Sequence, residues 1–142
     1  MTFVREMIDS PERVAKFKSF ALVSPLSGDL WNATRWFVNL ERDLYFVEFG
    51  GGGPEIPFVF GLANADGVLL QAHARRESIG EFQEKNIELT WNVSTIRIPR
   101  RLASEAGMLS AQLRDALTSY GSLGNVEVTK SVRVVLPTPE LV

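Results

Sequence analysis

The sequence predicts one α+β domain over residues 1–142: a mainly antiparallel sheet of about five to six strands, with an N-terminal helix and a long helix (about 102–120) packed on one face. Three observations predict it. Apolar or alternating runs of strand length recur in Ile56–Ala63, Val68–Arg75, Glu88–Ile98 and Asn125–Leu136. Leu102, Ala106, Leu109, Leu113, Leu117 and Tyr120 make one stripe at helical spacing. Most links between the strands are of hairpin length, so neighbours in sequence are expected to be neighbours in the sheet.

Taken in order, Ser10 and Pro11 form an N-cap with proline at the first helical position, and Val14, Phe17, Phe20 and Ala21 follow at helical spacing. Ser24 to Asp29 ends that helix. Thr34 to Phe49 is rich in aromatic and β-branched residues and reads as two strands around a turn at Glu41-Arg42-Asp43; a helix from Asp29 to Arg42 is the alternative. Gly50 to Gly53 and Pro54 then form a flexible connection, because glycine has no side chain to pack and proline cannot join a central ladder.

Asn64-Ala65-Asp66-Gly67 supplies the turn of a hairpin between Ile56–Ala63 and Val68–Arg75. Ser78 and Glu81 stand at capping-box spacing, which predicts a short helix over Ile79 to Asn86. In the next strand Leu89, Trp91 and Val93 share one face, yet Ile96 and Ile98 are apolar where even positions had been polar. A bulge or break near Ser94-Thr95 is therefore expected. Gly107 is the weak point of the long helix and Gly121 its expected stop. The last strand runs from Asn125 to Leu136, after which Pro137 and Pro139 end regular structure. Leu89, Trp91 and Val93 are expected to pack against Leu109, Leu113 and Leu117.

Composition narrows the function classes. The chain contains no cysteine, so it has no disulfide framework, thiolate metal site or cysteine nucleophile, which fits a reducing compartment. Charges at Arg5, Glu6, Asp9, Glu12 and Arg13 interrupt any signal-peptide core, and no apolar run reaches the roughly 18 residues a membrane span needs. A soluble cytoplasmic protein is the expectation. Lys+Arg 15 against Asp+Glu 17 gives a net charge of -2, without the broad basic surface of a polyanion binder.

Little in the chain marks a reaction centre. His73 is the single histidine, and with no thiol beside it a metal would depend on carboxylates, so neither a metal nor a cofactor is expected. No serine lies in a G-x-S-x-G elbow, and the Gly50 to Gly53 run lacks the lysine of a phosphate loop. His73 and Arg75 share the polar face of their strand and form a candidate small-ligand or pocket-enzyme pair, since histidine titrates near neutrality and arginine holds anions.

Thr95-Ile96-Arg97-Ile98-Pro99-Arg100-Arg101 followed by the stripe to Leu117 resembles the ribbon-helix-helix DNA-binding family. That resemblance implies Thr95 and Arg97 in a major groove, with Arg100 and Arg101 beside them. The leading expectation is different. A folded acidic domain without a reaction centre reads as a small protein-binding module, an immunity-type inhibitor or secretion chaperone of the bacterial kind. Its partner is another protein or a second copy of the chain, and Glu48, Phe49 and Glu55 around the glycine run form its candidate contact loop.

Overall fold

The computed structural model describes residues 3–6, 35–39, 44–50, 57–64, 67–79, 87–124 and 129–142. Among them the fold is α+β: one mixed sheet, curled into a half-barrel, and one helix. The strands are β1 (Phe3–Glu6), β2 (Arg35–Asn39), β3 (Leu44–Gly50), β4 (Phe58–Asn64), β5 (Gly67–Ile79), β6 (Ile87–Ile98), β7 (Thr129–Val135) and β8 (Glu140–Leu141). Six of them have five or more residues, and β1 and β8 are short additions at the ends of the chain. A 3-10 helix, Arg100–Glu105, leads into α1 (Ala106–Gly124).

From β1 to β6 the sheet is an antiparallel meander in sequence order. The one reversal comes at α1, which carries the chain back along the sheet so that β7 and β8 both pair with β6 in parallel. A parallel neighbour needs such a crossover, because a tight turn can only return the chain antiparallel. Pro137 and Pro139 divide β7 from β8 without changing register: Asn92 pairs with Val135 and Arg97 with Glu140, the same offset. Two prolines without N–H groups interrupt the ladder, yet the strand resumes beyond them. Beyond β8, the Val142 N–H donates to the Ile98 carbonyl (2.9 Å) and the Arg100 N–H to the Val142 carbonyl (2.8 Å), closing the corner where β6 turns into the 3-10 helix.

The core lies between the concave face and α1. Leu89, Trp91 and Val93 are buried in one cluster with Leu109, Leu113 and Leu117, as the alternation and the stripe predict. At its centre Phe58 and Phe60 stack at 5.6 Å, Phe46 stacks on Phe60 at 5.0 Å, and Trp91 meets Phe58 and Phe60 edge-on at 5.2 Å and 5.3 Å. Trp91 stands two strands from those phenylalanines, with Ala72 and Ala74 of β5 between them and fully buried. The small side chains leave the indole room to lie across β5. Arg76 closes the rim, its guanidinium carbon 5.5 Å from the Phe58 ring centre.

The expected bulge is present at Ser94. Val93 pairs with Ala74 and Thr95 with His73, which leaves Ser94 as the extra residue of β6. That insertion inverts the phase, so Trp91 and Ile96 both face the core. The Ser94 hydroxyl donates to the His73 carbonyl at 3.2 Å and ties the bulge to β5.

Several expectations change. The two strands expected within Thr34 to Phe49 are present as Arg35–Asn39 and Leu44–Gly50, and it is the alternative helix that does not hold over Arg35–Asn39. Gly50 belongs to β3 and pairs with Val59, so it is not part of the flexible connection expected over Gly50 to Gly53. Ser78 and Ile79 extend β5 and pair with Leu89 and Glu88, so the helix expected from Ile79 does not begin there; cross-strand pairing outweighs a local cap signal. Gly121 does not stop α1, which runs to Gly124, because glycine weakens a helix by about 1 kcal/mol without forbidding it. The N-terminal helix expected after Ser10 lies outside the described residues.

Candidate functional site

Two places on the sheet gather polar side chains. The first is the convex face of β5 and β6, opposite the core. Strand alternation sets Gln71, His73 and Arg75 on this face of β5, and the bulge brings Thr95 and Arg97 onto it from β6. His73 and Thr95 are half-buried, with Nδ1 of the ring 3.0 Å from the threonine Oγ1. Gln71 beside them is buried, whereas Arg75 and Arg97 are exposed. The ligand pair His73 and Arg75 and the strand residues Thr95 and Arg97 therefore occupy one surface.

Arg100 and Arg101 are exposed on the 3-10 helix that follows. Among the described residues the ribbon-helix-helix arrangement itself is absent. β6 is an interior strand, with β5 on one edge and β7 and β8 on the other, so it has no edge for the strand of a partner chain. The six-residue 3-10 helix that follows runs straight into α1 with no turn between them, where the family has two separate helices.

The loop residues separate. Glu48 follows Leu44 and Phe46 onto the concave face, pairs with Phe60 and is 6% exposed, so it does not offer its charge to a partner. Phe49 is the extra residue of a bulge between the Glu48 and Gly50 pairs. Glu55 lies outside the described residues.

The second place is the margin of the sheet, where α1 passes β7. A groove of about 380 Å³ runs here, lined by Arg114 and Thr118 of α1 and by Ser131, Val132, Arg133 and Val134 of β7. Arg114 Nη1 donates to the Val134 carbonyl at 3.0 Å, and the Thr118 hydroxyl donates back to the Arg114 carbonyl at 2.9 Å. No described strand lies beyond β7. The N–H and C=O of one strand residue project to the same side, so the Val134 N–H faces this open margin with its carbonyl, and so does the Val132 N–H two residues before. Val135, at the end of the strand, is 48% exposed.

Sequence reasoning assigned the strand and its alternation but missed this site. Arg114 and Arg133 are separated along the chain by a helical end and a strand start, and only the parallel return of β7 beside α1 brings them together. Val135 and Leu136 after Val134, an apolar run ending an alternating strand, were the available signal of a margin position.

Among the described residues no group of three or more histidine, aspartate or glutamate side chains converges as a metal site, and no helix is long and apolar enough to cross a membrane. No family model matches the chain, and neither the curated proteins nor the solved structures contain a match to it.

Proposed function

We propose that the chain is a protein-binding module whose partner adds an extended segment to the open margin of β7. One observation carries this reading: β7 ends the strand order of the described sheet, and the Val134 carbonyl is taken by a side chain of α1, so that by strand alternation the Val132 and Val134 N–H groups are expected on the same free side. Such a margin is a template for another strand, with backbone hydrogen bonds supplying affinity and flanking side chains specificity. Exposed Val135 adds an apolar contact at one end. In the immunity-type or secretion-chaperone reading, the added strand belongs to the toxin or to the client.

A second copy of the chain is a poorer occupant, because an antiparallel β7 pair brings the Arg133 residues of both copies to one seam. The alternative at His73 and Arg75 has less support: the histidine ring is engaged with Thr95 on a sheet face, and the groove lies elsewhere.

The test is hydrogen–deuterium exchange on the chain with and without its co-purified partner. Protection of the Val132 and Val134 amides is expected on binding. Protection confined to the convex face around His73 would move the site there, and loss of the monomer in size-exclusion chromatography without any partner would replace the partner by a second copy.

A further inference from the structure

Arg114 occupies the acceptor that an added strand needs. Its guanidinium donates to the Val134 carbonyl across the margin, so the free protein carries its own plug on that edge. An edge covered this way resists indiscriminate pairing. A neutral strand would have to displace the guanidinium and leave its donors to water, whereas a strand bearing a carboxylate at the groove offers it a stronger, bidentate acceptor.

The remaining lining adds charge more than hydrogen bonds. Arg133 places a second cation at the margin, but like Ser131 it alternates with core-facing Val132 and Val134 and projects from the opposite face of β7, and the Thr118 hydroxyl already donates to the Arg114 carbonyl. Among the described residues no carboxylate pairs with either arginine. Glu88 stands opposite Ser131 in the register, on the same side of the sheet as Arg133, so Arg114 is the arginine expected to set the preference.

We propose that Arg114 is a gate on the β7 margin, opened by an aspartate or glutamate of the incoming strand, so that the site selects acidic extended segments. This rests on the strand-addition reading above and adds the partner's chemistry to it. On binding, the guanidinium leaves the Val134 carbonyl for the carboxylate, and the freed carbonyl accepts a backbone N–H from the new strand. The exchange conserves hydrogen bonds and transfers no proton.

The experiment titrates the full chain with an end-blocked peptide of alternating valine and glutamate, and with the same peptide carrying glutamine, while the backbone amides are followed by two-dimensional NMR. The glutamate peptide is expected to bind roughly tenfold more tightly, the scale of one charge-assisted contact, and to shift the Val132 and Val134 amides. In Arg114→Ala the preference should vanish and the glutamine peptide should bind at least as well as to the parent. Arg114→Lys, which keeps the charge but not the planar fork, should retain part of the preference and shows that the effect is not a folding defect. Equal affinity for the two peptides in the parent, with the same amides shifting, would sink the gate while leaving strand addition in place. No shift of these amides with either peptide would overturn both.

Discussion

His73 and Thr95 face each other across β5 and β6, with Nδ1 3.0 Å from Oγ1, one residue from the bulge that makes their pairing possible. Without the extra residue Ser94, every position of β6 from Thr95 onward changes face. Deleting Ser94 is therefore expected to bury Thr95 and Arg97 and to expel Ile96 and Ile98, each of which is fully buried. The cost of two large apolar side chains, on the order of 1.5–3 kcal/mol each, together with a buried charge should leave no cooperative unfolding transition. Ser94→Gly keeps the bulge and should cost about 1 kcal/mol or less. A well-folded deletion variant in a thermal melt would refute this account of the phase change.

His73→Ala removes one side-chain hydrogen bond from a half-buried position and is expected to destabilise the fold by about 0.5–1.5 kcal/mol. Partner capture should survive it. Metabolite turnover that disappears in this variant would replace the binding reading by the enzyme one.

Trp91 and Ala74 form a size-matched pair of positions. Trp91→Ala should cost about 3–5 kcal/mol, since it removes the edge-on partner of two phenylalanines. Ala74→Leu should cost about 1–3 kcal/mol by filling the space over which the indole lies. Chemical denaturation measures both. An Ala74→Leu protein as stable as the parent would show that the space between β4 and β6 is not filled by Trp91.

Duplex DNA binding near physiological salt is expected to be undetectable, since Thr95 is engaged with His73 and β6 lies inside the sheet. Fluorescence anisotropy over a salt series checks this. Binding that falls steeply with salt and weakens in an Arg97→Ala, Arg100→Ala variant would restore a nucleic-acid role.

Dialysis against a chelator should leave the melting temperature unchanged, because the core is apolar and aromatic and no described cluster of ligating side chains exists. A fall of several degrees, reversed by added zinc, would reveal a site.

The parts of the fold that announce themselves in the sequence are those where one face is buried. Leu89, Trp91 and Val93, the phase change at Ser94 and the stripe from Leu102 to Leu117 are legible because burial imposes a period on neighbouring residues. β1 and β8 are not legible, being four and two residues long, too short for a period to show. Ser78 was misleading because a cap pattern and a strand end can share a sequence, and long-range pairing decides between them. The convex-face cluster was partly visible, as His73 and Arg75 alternate on one strand, but the register that adds Thr95 and Arg97 is tertiary. The margin groove was invisible, since α1 and β7 meet there only after a parallel crossover.

That crossover also divides the chain by time. Strands β2 to β6 meet their partners through neighbours in the meander, so this half closes by short loops and can form early. β7 cannot take its place until α1 has been laid across the sheet, and β8 follows it past two prolines. The margin that would receive a partner is thus the last part assembled and the first expected to open. In native-state exchange the amides of β4 and β5 should report the global unfolding free energy, while those of β7 report a smaller one, so the ability to accept a foreign strand and the tendency to release its own come from the same seam.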